Sequence, residues 1–159
     1  MQVITKHFGT IDIDEQKIIT FPHGLFGFNQ YKKFAIIYEL TDDGEIPVIN
    51  WLQSLEDKDV ALPIMNPISI VPDYNPVVED ELLKPLGTWN ETNIIFYTVV
   101  NAHSEVEQLT TNLKAPITIN MDNFTGVQVM VENDNYPIRF NIYELLQKAK
   151  KNSKGAGEA

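Results

Sequence analysis

Side chains able to do chemistry are few and scattered in this sequence. The histidines, His7, His23 and His103, stand far apart, and none lies in a metal-ligand spacing. Asp12-x-Asp14-x-Gln16 opens like a calcium loop, which needs Gly at its sixth position and Glu at its twelfth. Lys17 and His23 occupy those places, so calcium ligation is rejected. Glu79, Asp80 and Glu81 form a dense carboxylate run, but they precede Leu82-Leu83-Lys84 as the acids of a helix first turn do. Most other carboxylates fall in turns or alternate with isoleucines, the pattern of solvated surface. The absence of Cys rules out disulfides, thiolate metal sites and a cysteine nucleophile. There is no Gly-x-Ser-x-Gly, phosphate loop or dinucleotide fingerprint, and Gly24 and Gly27 lack the strand-to-helix context of one. The expectation is no catalytic residue, no metal and no cofactor, unless the fold gathers distant groups.

Two stretches carry binding chemistry instead. Phe21-Pro22-His23-Gly24-Leu25-Phe26-Gly27-Phe28 has too much Gly and Pro for a regular element, yet holds four large apolar side chains besides Pro22. Such a loop either tucks beneath a sheet or offers an aromatic patch to a partner. Leu109-Thr110-Thr111-Asn112-Leu113-Lys114-Ala115-Pro116-Ile117-Thr118-Ile119-Asn120 begins with polar groups suited to local backbone bonds. It turns at Pro116 and continues as an alternating, half-buried strand. Polar groups at the mouth of a strand suit either a binding surface or plain loop chemistry. Trp51, Tyr74 and Trp89 are of types favoured at interface hot spots. Trp51, inside an apolar strand, is expected in the core.

The elements that must position these stretches are mainly strands. Residues 3–8, 11–14, 17–21, 33–39, 48–54, 60–65, 92–100, 117–120, 127–131 and 136–140 carry the alternation or the β-branched and aromatic content of strands. Hairpins are expected between 11–14 and 17–21, and between 127–131 and 136–140. Pro63 implies an edge or a bulge for its strand. Thr41-Asp42-Asp43-Gly44-Glu45 and Glu56-Asp57-Lys58-Asp59 are turns. Residues 79–86, closed by Gly87, suit a short helix. A C-terminal helix is capped by Asn141 with Glu144 three residues on, carries Ile142, Leu145, Leu146 and Ala149 on one face, and ends in Lys148, Lys150 and Lys151. Turn signals every 8–12 residues predict a small antiparallel β-barrel-like or folded-sheet domain with this helix and one short one. One domain is expected over 1–151 and a disordered tail over 152–159.

Charge narrows the partners. The chain of 159 residues carries a net charge of −10. Residues 1–146 hold 21 acids against 8 bases, and the last 13 residues hold four Lys and one Glu. An acidic body repels phosphates, so direct nucleic-acid binding is not expected, whereas encounter with a basic protein is favoured. No apolar run reaches membrane-spanning length, and the N-terminus lacks the apolar core of a signal peptide. A soluble, cytoplasmic protein is expected.

With these residues in view, the chain resembles the FliW family of flagellar assembly factors. Segment 21–28, Trp51-Leu52-Gln53-Ser54, Val71-Pro72-Asp73-Tyr74 and segment 110–120 carry the resemblance. Segment 21–28 is similar to the family's Gly-Leu-Pro-Gly-Phe pattern, with Phe26 where Pro is common. The resemblance implies a non-enzymatic β-barrel-like protein that binds flagellin and CsrA, a small dimeric RNA-binding translational repressor. Binding of CsrA, without occupying its RNA face, would relieve repression of flagellin synthesis. The residues then expected to meet partners are Leu25, Phe26, Phe28, Gln53, Thr111, Asn112 and Leu113. Asn112 and Leu113 are expected to be exposed enough that alanine there costs little stability. The alternative is a small-ligand or enzymatic barrel, which a deep pocket lined by His23 or His103 would favour.

Overall fold

Strands form where the sequence alternates or runs apolar, and their order in space is far from their order in the chain. The structure, a computed structural model, describes residues 1–38, 47–102 and 105–149. β1 (Gln2–Ile4) and β2 (Thr10–Asp12) pair as a separate antiparallel hairpin. The others are β3 (Ile19–Thr20), β4 (Lys33–Ile37), β5 (Ile49–Ser54), β6 (Ala61–Met65), β7 (Ile94–Asn101), β8 (Thr110–Thr111), β9 (Ile117–Asn120), β10 (Thr125–Gln128) and β11 (Phe140–Asn141). They lie in the order β11-β8-β7-β6-β5-β4-β3-β10-β9. A further ladder joins β9 to β7, with Ile95 opposite Ile119 and Tyr97 opposite Ile117. That ladder closes the seven strands from β7 round to β9 into a barrel and removes their free edges. Among the described residues, all ladders are antiparallel except β3 with β10, which is parallel through Thr20 and Thr125.

The barrel interior is packed. Ile19, Phe21, Leu25, Phe34, Leu52, Ile64, Ile117 and Ile119 form one buried cluster, with one or two residues from most strands. β10 contributes Gly126 where a larger residue would be expected. A Cβ there would lie 2.3 Å from Cε1 of Phe21, so the absent side chain makes room for that ring. Outside the barrel, β8 and β11 extend β7 over a second cluster of Met65, Ile70, Val100 and Ile142. The helix over 143–149, α1, packs Leu145 and Leu146 there, and the Tyr143 N–H donates to Asn141 Oδ1 at 3.1 Å. A 3₁₀ segment, Asp80–Leu86, covers β10 with Leu83 and Leu86 against Val127 and Val129. Gly87, at φ +76°, ends it.

The mainly β class and the C-terminal helix are as expected, but several pairings differ. β2 turns back onto β1, and residues 15–17 are a 3₁₀ turn, so the segment at 17–21 pairs with β4 and β10 instead. Residues 136–140 make no hairpin with β10. Only Phe140 and Asn141 are strand, and they pair with β8. Pro63 lies on an internal strand, facing Trp51 of β5. The ladder to β7 runs through Ile64 and Met65 and does not reach Pro63, so its missing N–H leaves no β7 partner unpaired there. The expected turn at 41–45, the end of the strand at 33–39, His103, Lys150, Lys151 and the tail at 152–159 lie outside the described residues.

Candidate functional site

The apolar loop at 21–28 divides its side chains between core and surface. Phe21 and Leu25 are buried and Phe28 is half-buried, but Phe26 is 52% exposed. Backbone bonds fix this shape. The Gly24 N–H donates to Phe21 O at 2.9 Å, and the Phe28 N–H to Leu25 O at 2.8 Å. Gly27, at φ +83°, stands at the third position of the Leu25-to-Phe28 turn, where a type II turn demands positive φ. Gly24 is also obligatory: at φ +70°, its Cβ would lie 2.4 Å from the Asn29 backbone. From 102 residues away, Gln128 Oε1 accepts the Phe26 N–H at 2.8 Å, while its Nε2 donates to Ala115 O at 3.1 Å. The turn is thus tied to β10, and Phe26 is held outward on an ordered backbone.

The other expected contact residues are placed differently. Gln53 is 1% exposed, Thr111 0% and Leu113 1%, so with Leu25 they are corrected from surface to interior. Each has a structural reason. The Gln53 amide accepts from the Lys6 N–H at 3.0 Å and donates to Lys58 O at 3.0 Å, tying the β1–β2 hairpin and the 55–60 turn to β5. The Thr111 hydroxyl donates to Thr98 Oγ1 at 2.8 Å, across from β7. The Leu113 N–H donates to Pro137 O, and Leu113 O accepts the buried Tyr74 hydroxyl at 2.8 Å. Burial pushes the Tyr74 hydroxyl pKa well up. Half-buried Asn112 folds its own segment, its Oδ1 accepting from the N–H groups of Lys114 and Ala115 at 3.0 and 3.1 Å. Segment 109–120 therefore joins the barrel to the outer strands, and the local chemistry of its polar residues is turned inward.

Trp51 is also a correction. It is half-buried on the outer face of β5 and stacks on His7 of the hairpin, ring centroids 4.0 Å apart. Trp89 packs, with Ile94, against the cluster of Leu83, Leu86, Val127 and Val129. His23 is exposed, and among the described residues no three His, Cys, Asp or Glu side chains gather as a metal site.

Among the described residues, two apolar clefts flank the barrel. One, of about 500 Å³, lies between Ile11 and Ile13 of the hairpin region and Ile36, Tyr38, Tyr97 and Phe124 of the barrel. The other, of about 530 Å³, is walled by Tyr74, Trp89 and Phe96. His23 lines neither cleft. Carboxylates hold the loops near the Phe26 turn. Glu56 Oε1 accepts from the Lys32 and Lys33 N–H groups, at 2.5 and 2.7 Å, and Asp57 Oδ2 accepts the Tyr31 hydroxyl at 2.8 Å. The two backbone bonds hold the Glu56 pKa below the ordinary carboxylate range.

Sequence reasoning passed over Gln128 as the residue that fixes Phe26. Its partner is 102 positions away, and nothing local in Val127-Gln128-Val129 marks it.

The protein-family model described as FliW protein matches residues 2–142. The flagellar assembly factor FliW of Lachnoclostridium phytofermentans is 44% identical over 155 residues, covering 98% of this chain and 99% of that protein. The corresponding factor of Lachnospira eligens is 41% identical, covering 93% of this chain and 98% of its own. A crystal structure of the flagellar assembly factor FliW superposes with a TM-score of 0.79 at 27% identity, covering 90% of this chain and 97% of that one.

Proposed function

The chain belongs to the FliW family of flagellar assembly factors, and from that membership we propose that it is a cytoplasmic partner switch that binds flagellin and the translational repressor CsrA. As a member of this family it is a flagellar assembly factor and not an enzyme, and in this reading its role is regulatory and chaperone-like. In the proposed switch, binding to CsrA relieves repression of flagellin translation, and flagellin competes for the same factor. Direct nucleic-acid or membrane contact has no part in it.

The observation that carries the reading is Phe26: an aromatic side chain, 52% exposed, at the tip of a turn whose neighbours Leu25 and Phe28 anchor it in and against the core. An aromatic on a preorganised backbone is an economical interface anchor, because little conformational freedom remains to be lost on binding. The net charge of −10 adds attraction for a basic, RNA-binding partner. Leu25, Gln53, Thr111 and Leu113 act in this reading by holding the surface in shape, with Phe26, Phe28 and Asn112 nearer the contact.

The test is a pull-down of CsrA by the full chain, with and without added flagellin, repeated with Phe26→Ala. Wild type is expected to retain CsrA and release it to flagellin, and the retention is expected to weaken as salt rises. Phe26→Ala is expected to keep the wild-type melting temperature within about 2 °C and lose at least about tenfold in affinity, the effect of removing a hot-spot aromatic. Equal affinity for wild type and variant would remove Phe26 from the interface. Wild type that retains neither protein would end the proposal.

A further inference from the structure

We propose that the polar cleft at the open end of the β7-β8-β11 ribbon is a carboxylate-binding site centred on Arg139. Strand register builds it. Asn101 of β7 pairs with Thr110 of β8, and Thr110 pairs in turn with Asn141 of β11, so three polar side chains stand in one cross-strand row. The next row, Val100, Thr111 and Phe140, turns to the opposite face and packs into or against the second core cluster and the Thr98 hydroxyl. One side of this ribbon is thus committed to the core and the other to hydrogen-bonding groups. With Ala102, Gln108 and Arg139 the polar row lines a cleft of about 480 Å³.

Its chemistry is one-sided. Arg139 is the chain's single arginine, in a protein with 22 acidic residues, and among the described residues no carboxylate lines the cleft it occupies. Among the described residues Arg139 forms no ion pair, and no hydrogen bond employs its guanidinium, the Asn101 amide or the Thr110 hydroxyl. Asn141 is already engaged, donating to Glu107 O and accepting from the Tyr143 N–H, and Gln108 donates to Glu105 Oε2 at 2.9 Å. The free groups are therefore a planar fork of donors, an amide and a hydroxyl around one space. A carboxylate matches that set: two oxygens for the guanidinium and lone pairs left for the amide and hydroxyl. Such a group comes either from a free small acid or from the terminus or an acidic side chain of another polypeptide.

The test is an NMR titration of the full chain with acetate, with N-acetyl-diglycine, and with N-acetyl-diglycine amide. Saturable shifts of the Asn101 and Thr110 amides and the Arg139 side-chain N–H are expected with both carboxylates and not with the amide. Binding of N-acetyl-diglycine at least about tenfold tighter than acetate assigns a polypeptide source, and equal binding assigns small acids; both support the site. Arg139→Gln is expected to abolish saturation, and Arg139→Lys to weaken it severalfold, since an ammonium lacks the fork. Arg139 is exposed, so these variants are expected to fold as wild type does. The inference is overturned by wild type that shows no saturable shift with either carboxylate, or by saturation that survives Arg139→Gln.

Discussion

Gly126→Ala tests the packing that places the Phe26 turn. The added Cβ would lie 2.3 Å from Cε1, 2.8 Å from Cζ and 2.9 Å from Cδ1 of Phe21. Ordinary contact begins near 3.4 Å, so the ring must retreat by about 1 Å. It has little room to do so, being fully buried and held edge-on against Phe34 with centroids 5.5 Å apart. Overpacking of this kind costs about 3 kcal/mol at the upper end of its range. Alanine returns about 0.5–1 kcal/mol by restricting the unfolded chain, since the φ of Gly126 is not in the positive region. The net expected loss is about 2 kcal/mol, or roughly 4–8 °C in melting temperature for a chain of this size. Phe21→Ala alone is expected to cost about 3–5 kcal/mol. In the double variant the alanine methyl meets no ring, so the two losses should fall short of additive by the whole steric term, about 3 kcal/mol. Urea unfolding followed by the fluorescence of Trp51 and Trp89 measures all four proteins. A Gly126→Ala variant within about 0.5 kcal/mol of wild type, or a strictly additive double variant, would refute the steric argument.

Two further perturbations separate scaffold from surface. Leu113→Ala removes a side chain only 1% exposed and should cost about 2–5 kcal/mol, lowering the melting temperature by roughly 5 °C or more. A calorimetric melt within 2 °C of wild type would return this residue to the surface. Acid should expose the Glu56 latch. Its pKa is depressed in the folded chain, so its contribution to stability is complete above the ordinary glutamate value and is lost as pH falls through the folded value. Glu56→Gln should therefore be less stable than wild type near neutral pH and converge with it in acid. Curves that stay parallel from pH 7 to pH 3 would show that the carboxylate charge is not what the two backbone N–H groups require.

Much of the local structure was legible in the chain because it depends on near neighbours. The run Ile94-Ile95-Phe96-Tyr97 reads as a strand and is one, and Asn141 caps the following helix through its own side chain. Gly24 and Gly27 mark a loop that only glycine can make, with φ of +70° and +83°. The mainly β class follows from such signals repeated along the chain, and the four quoted segments carry the family resemblance that the comparisons bear out.

What tertiary structure alone decided is which of these residues face water and which strands meet. Thr111, Asn112 and Leu113 look like a polar loop with one apolar residue, but the hydroxyl of Thr111 is used by β7 and Leu113 is held by Tyr74 and Pro137. Their partners lie up to 39 residues away, beyond the reach of any local pattern. The β9–β7 ladder that closes the barrel, and the Gln128 amide that pins Phe26, are likewise long-range events. Alternation says that a strand has two faces; only closure of the barrel settles which face becomes interior. For segment 21–28 that closure puts Phe21 and Leu25 inside and leaves Phe26 to the solvent.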